Sequence, residues 1–331
     1  MDEIRLIRNS DRDELRSLWS LRFSDSPGFT DWYFQNRYCT AHSMCMFANG
    51  RIVSAIHCWP MRVRVRETVL SALMLSGVAT LPGYEKQGRM HKVMEAVLRH
   101  ARQEGFPLVF HKPVDVGVYA SLGHLPCTDT LMYRAMEGTC TPAFSGDWNC
   151  AELLRRYRLA TNRYSGVVVR DETDMRLKLD DYRSDGAFLL CPKALEAYAV
   201  LFSQDGGWYA EEALAADPES YRTLMRLLPS GATVKLPPDC GLRGEIAPQN
   251  VMGAVNVPAL LSALCKNPAL VFEVQDPVLP ENCGRFDGLG QPSTDEPIFT
   301  GSVGELLQIL SGYRAFEPYF PALPCYCVDE Y

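Results

Sequence analysis

Residues 73–101 constrain the chain more than any other stretch. Leu73–Thr80 is mostly apolar, as a strand buried on both faces would be. After a short loop, Met90, Val93, Met94, Val97, Leu98 and Ala101 recur at spacings of three and four, with His91, Lys92, Glu95 and Arg99 between them. That period belongs to an amphipathic helix. A buried strand running through a tight loop into such a helix predicts alternating α and β structure over residues 1–140.

The loop itself is Gly77-Val-Ala-Thr-Leu-Pro-Gly-Tyr-Glu-Lys-Gln-Gly-Arg-Met90. Amides of Lys86 through Met90 can converge on a diphosphate, with the positive end of the helix dipole behind them. Gly88 allows close approach because it has no Cβ. Most connections of this kind bind nothing, so the loop pattern alone does not decide the matter.

Other elements read in the same way. Ile4–Arg8 is expected to be a strand, and Asp11–Leu21 a helix with Leu15, Leu18 and Trp19 on one face. Met44–Ala48 and Ile52–Cys58 flank Asn49-Gly50, which predicts a hairpin with a type I′ turn, and Met61–Val69 is expected to extend that sheet. Leu108–Phe110 reads as a strand and Asp115–Ser121 as a short helix stopped by Gly123. Gly138–Asp147 is loop-like, and the region after it carries no assignable site. Pro237-Pro238-Asp239 marks a further boundary. Beyond it come a helix over Val257–Leu264 with Pro258 near its start and a strand over Ala269–Val274. Ser302-Val303-Gly304-Glu305 fits a capping box, and Gly312 would end the helix that follows.

The 331 residues carry a formal charge of -7, which argues against a nucleic-acid role and suits a cationic amine. The 12 cysteines form no CxxC pair, and Cys325-Tyr-Cys327 lacks a second ligand pair, so no metal is expected. The charged start has no signal-like apolar core, and no run approaches the roughly 20 apolar residues of a membrane span. The expectation is a cytoplasmic protein with free thiols and no membrane partner.

One strand after the long helix stands Val118-Tyr119-Ala-Ser-Leu-Gly123. The order strand, diphosphate-type loop, helix, strand, Tyr-x-x-x-Gly resembles the GNAT superfamily of acyl-CoA N-acyltransferases. The resemblance implies acetyl-CoA as co-substrate, with Val78, Ala79 and Thr80 along the pantetheine arm and Lys86, Gln87, Gly88, Arg89 and Met90 around the diphosphate. Tyr119 would protonate the departing thiolate. Glu85 stands where that motif is often basic, and Met90 replaces a small residue.

The rest of the chain resembles the enhanced-intracellular-survival type of acetyltransferase. The similarities lie in Gln249-Asn-Val-Met-Gly-Ala-Val-Asn-Val257, the helix after it, Val303–Gly312 and Phe320-Pro-Ala-Leu-Pro-Cys-Tyr-Cys-Val-Asp-Glu-Tyr331. That type implies an α/β (α+β) chain in three parts. Residues 1–140 would be the catalytic GNAT domain and 141–240 a degenerate GNAT-like domain. Residues 241–331 would be a sterol-carrier-protein-like domain whose end returns to the active site. It further implies a hexamer, the α-carboxylate of Tyr331 as base, and Glu330 facing a cationic substrate. A free α-carboxyl titrates near roughly 3.5, and burial beside Glu330 would raise it towards a useful base.

For the amine, Phe29-Thr-Asp31-Trp32-Tyr-Phe34 is the expected wall, with Asp31 and Trp32 as ammonium contacts. His57 and His111 are alternative bases, although a lone histidine near a strand is more often structural. The expected activity is acetyl transfer from acetyl-CoA to a primary amine such as an aminoglycoside or other polycation, by direct attack in a ternary complex. The alternatives are a CoA- or lipid-binding regulatory protein without turnover, or an assembly protein that has kept only the fold.

Overall fold

The computed structural model describes residues 2–140, 142–204 and 206–329. First come β1 (Glu3–Leu6), α1 (Arg12–Arg22), α2 (Pro27–Asn36), β2 (Met44–Ala48), β3 (Arg51–Val65) and β4 (Thr68–Thr80). Then follow α3 (Arg89–Gln103), β5 (Leu108–His111), a 3-10 turn over Val116–Leu122, β6 (Leu125–Pro126) and β7 (Asp129–Ala135). The middle supplies α4 (Cys150–Thr161), β8 (Val167–Val168), α5 (Glu172–Ser184) and β9 (Phe188–Leu190). It continues with β10 (Ala197–Gln204), β11 (Gly207–Ala215), α6 (Pro218–Leu227) and β12 (Ala232–Leu236). The remainder holds β13 (Glu245–Pro248), β14 (Val251–Ala254), α7 (Val257–Leu264), β15 (Val271–Gln275), β16 (Gly284–Asp287), β17 (Phe299–Ser302) and α8 (Val303–Ser311).

Local chemistry sets these elements. Asn49 and Gly50 both have positive φ, 53° and 77°, as a type I′ turn between β2 and β3 requires. Strand β3 continues unbroken to Val65, so the expected separate strand over Met61–Val69 is part of it and of the turn into β4. Helix α3 buries Val93, Met94, Val97, Leu98 and Ala101 against the sheet. The Ser302–Glu305 capping box starts α8, and Gly312 ends it at φ 87°.

Three sheets result. The first runs β1-β2-β3-β4-β5-β14-β6, with β8 added beside β3; the second runs β13-β7-β12-β11-β10-β9; the third runs β16-β15-β17. The sheets therefore cross the expected divisions at residues 140 and 240. Strand β7 leaves the first 140 residues to pair with β12 and β13, and β14 returns from beyond residue 240 to lie between β5 and β6. The two crossings lie side by side. Cys127 N–H donates to Asn250 O at 3.0 Å and Gln249 N–H to Thr128 O at 2.9 Å. The Thr128 hydroxyl donates to Asn250 Oδ1 at 2.9 Å. Among the described residues no helix is long and apolar enough to cross a membrane.

Candidate active site

The site begins with a bulge. Ala79 pairs with Ala55 and Ser76 with His57, so Gly77 and Val78 together face the single residue Ile56. Gly77 sits at φ 54°, and a Cβ there would lie 2.2 Å from the Trp19 ring, so both backbone angle and packing demand glycine. On its other side β4 pairs with β5 only from Ala72 to Met74. Beyond Met74 the two strands part, and the edge from Leu75 to Thr80 faces an opening. Val78 lines that opening, whereas Ala79 is buried and Thr80 is tied to Ser54 at 3.1 Å.

At the far end of β4 the loop turns through Gly83, Lys86 and Gly88, all at positive φ. The first intrahelical bond of α3 in this turn is Lys92 N–H to Gly88 O at 3.1 Å. Amides before Lys92 thus stand outside the helical ladder, as an anion site needs. Space is open where a Gly88 Cβ would be. Glu85 is answered by Arg22 of α1 at 2.6 Å. Arg89 reaches Asp2 at 2.7 Å and lies over the Tyr84 ring, Gln87 bonds back to Gly83 O, and Met90 packs on the core.

Tyr119 closes the opposite wall. Asp115 caps its 3-10 turn by accepting from Gly117 N–H at 2.8 Å, and Gly123 ends the turn in the left-handed region. The Tyr119 ring meets His111 edge-on at 4.6 Å, and the imidazoles of His111 and His124 are bonded at 3.0 Å behind it. Burial pushes the Tyr119 phenol up to about 12, so it is protonated at neutral pH and can donate. Leu75–Val78, His111 and Tyr119 share a cleft of about 840 Å³ with Phe29 and the 23–26 loop.

Residues 3–126 match the acetyltransferase (GNAT) domain family. The chain carries a GNAT acetyltransferase domain. Whole-chain likenesses agree with this fold. A GCN5-related N-acetyltransferase from Anabaena variabilis superposes with TM-score 0.80 at 13% identity, covering 100% of each chain. One from Kribbella flavida gives 0.78 at 17%, covering 100% of this chain and 98% of the other. Eis1 from Mycobacterium abscessus gives 0.74 at 15%, covering 100% of both. No curated protein matches the chain.

The other wall of the GNAT cleft comes from the middle region, where sequence reasoning found no site. Lys178, Asp181, Tyr182 and Asp185 of α5 and its end, with Phe202, Gln204, Tyr209 and Glu211 of the second sheet, line the same cleft. Lys178 and Asp181 are buried as a pair at 3.0 Å. Burial pushes the Asp181 carboxyl up despite that pairing. Asp25 accepts from Trp19 Nε1–H at 2.8 Å; desolvation raises its carboxyl, and Asp185 nearby adds to the rise. Adjacent strand residues point to opposite faces. Glu211 accordingly faces the cleft and bonds Lys235 at 2.9 Å, while Glu212 faces inward to Arg170 at 2.8 Å. The Glu211-Glu212 doublet inside an apolar strand pattern was the one signal available in the sequence.

The structure sets two residues of the expected amine wall apart from this cleft. Asp31 is exposed and paired with Arg16 on the surface of α1 and α2, and Trp32 is buried; neither lines the cleft. On a helix, Phe29 and Asp31 two positions apart cannot share a face, and Phe29 is the one turned to the cleft. His57 is equally remote, enclosed by Trp19, Tyr33, Phe34 and Tyr38, and burial holds it down to about 4. His111 does line the cleft, although burial and then His124 keep it well below the usual histidine range. Glu330 and Tyr331 lie outside the described residues.

The chain leading to them is firmly held. Ser165 and Cys325 form a β-bridge, and Asp129 N–H donates to Cys325 O at 3.3 Å. Tyr326, Cys327 and Val328 are buried. Arg170, itself 2% exposed, bonds Asp329 at 3.1 Å, and Tyr157 and Asn250 bond its carboxylate and carbonyl. Among the described residues no group of three His, Cys, Asp or Glu is placed to hold a metal.

Proposed function

We propose that this protein is an acetyl-CoA-dependent N-acetyltransferase acting on a primary amine. The observation that carries the reading is the parted β4–β5 edge facing Tyr119 across one cleft. Backbone groups of Val78 and its neighbours would extend the sheet to the pantetheine arm, and the amides of Lys86–Met90 would take the diphosphate. Amine nitrogen attacks the thioester carbonyl in a ternary complex. An amide near Val78 polarises that carbonyl, and Tyr119 gives its proton to the departing sulfur. The Tyr331 carboxylate receives the amine proton, with Glu330 beside the substrate. Asp25, Asp181 and Asp185, from two parts of the chain, favour a cationic acceptor, which suits an aminoglycoside or another polyamine.

The resemblance of residues 249–257 and 320–331 to the enhanced-intracellular-survival type implies a degenerate GNAT-like middle domain, a sterol-carrier-protein-like C-terminal domain and a hexameric assembly; the likeness to Eis1 bears on the full-length fold. The terminal carboxylate has its own test. Extending the chain by a few residues beyond Tyr331 should lower turnover while the melting curve stays in place. Full activity in the extended protein would remove Tyr331 as base.

The deciding experiment is acetyl-CoA calorimetry followed by thiol release with a panel of amines. Binding with amine-dependent release is the expected result. Binding without release would replace catalysis by a regulatory CoA-binding role, and absence of binding would remove the reading altogether.

A further inference from the structure

Lys112 is the first residue after β5. The β4–β5 register pairs Met74 with Phe110, so two more residues place Lys112 opposite Ser76, where the strands have parted. It lines the catalytic cleft with Tyr119 and also a side chamber of about 530 Å³ that contains Lys235. Its side chain therefore works across the mouth of the opening in which the thioester would lie.

Its surroundings disfavour the ammonium form. Lys235 is held by both oxygens of Glu211, at 2.9 and 3.0 Å. Lys178 is likewise paired, with Asp181. Lys112 stands beside Lys235 and Glu211, whose charges act on its ammonium in opposite directions. Burial and then the Lys235 ammonium push Lys112 down to about 7, so a large share of it is free amine at neutral pH. A lysine desolvated next to another cation is a recognised form of activated nucleophile.

We propose that Lys112 is a self-acylation site, taking the acetyl group from bound acetyl-CoA when no amine substrate is present. The inference rests on the acetyltransferase reading above. The Nζ lone pair attacks the thioester carbonyl carbon, the C–N bond forms and the C–S bond breaks. The electron pair leaves on sulfur, which Tyr119 protonates, and the surplus proton on nitrogen passes to water. The product is a neutral Nζ-acetyl amide. It leaves a nitrogen that can no longer take up a proton and adds bulk to the cleft wall, so the modified protein accepts amines more slowly.

The test uses the full-length protein with acetyl-CoA and no amine, read by intact mass and peptide mapping, while a parallel sample is assayed for thiol release with the amine panel. One acetyl group on Lys112 is expected, at a rate per molecule unchanged by dilution. Lys112→Arg should abolish it. Lys235→Met, checked for an unshifted melting curve, should slow it by about tenfold because Lys112 regains its proton. Amine-dependent thiol release without acetylation of Lys112 would overturn the proposal and leave the acetyltransferase reading standing. Labelling spread over surface lysines, or equal rates in Lys235→Met, would also overturn it. Coenzyme binding with neither thiol release nor acetylation would defeat both.

Discussion

Tyr119 is a residue whose role follows from burial. Its phenol is kept protonated, so it is a proton donor in search of an anion, and the departing thiolate is the anion this cleft would produce. Tyr119→Phe should lower kcat by about 10²–10⁴-fold with little change in acetyl-CoA affinity, measured by steady-state kinetics and calorimetry. Unaltered kcat would exclude it. Three buried histidines make a separate prediction. Burial depresses His57 and His124 from 6.5 to about 4 and His111 well below 6.5. Their folded values lie below the unfolded one, so their contribution is complete above 6.5 and is lost as pH falls towards 4. Each can cost up to about 1.4 kcal/mol per pH unit in that window. Thermal melts should decline through it, and His57→Phe should flatten the decline; a slope unchanged by that substitution would show that His57 is not responsible.

At the scale of elements, the strand–loop–helix unit was legible because it is local. The apolar run of β4, the 3.6-residue stripe of α3 and the glycines of the loop each state their conformation within a few residues. What the local pattern left open was Glu85, an acid in the loop proposed to take the diphosphate. Arg22, on a helix distant in sequence, pairs with it. Arg22→Ala should raise the KM for acetyl-CoA several-fold at low ionic strength, an effect of about 1 kcal/mol that salt should erode. Adding Glu85→Gln should restore the affinity. A KM in the single variant equal to that of the native protein would mean the pair does not shield the loop.

Across the whole molecule the parts are stitched by charge as well as by strands. Arg170 between Glu212 and Asp329 is a buried cation with two carboxylates, and it ties the C-terminal segment to the second sheet. Burial opposes the charges of Arg170 and Glu212, yet the cluster holds Glu212 below and Arg170 well above their usual ranges. Removing one member leaves the others without their match. Asp329→Asn should destabilise the fold by roughly 3 kcal/mol in denaturant titration. A variant as stable as the native protein would show that the segment from Cys325 to Asp329 is held by something other than this cluster.

The sequence by itself determined the elements and the strand–loop–helix wall of the cleft. The β4 edge, the loop to α3 and Tyr119 lie within one short stretch, and their periodicity and glycines are readable in order. It also contained the turn chemistry of Asn49-Gly50 and the Ser302 cap. Only the tertiary structure decided the facing wall of the cleft. Asp31 is turned away from it by which helix face is buried, and Asp181, Asp185 and Glu211 line it through the packing of a second sheet. The crossings at residues 126–129 and 248–251 were equally invisible, because each joins two ordinary strands and the choice of partner is made by residues more than a hundred positions away.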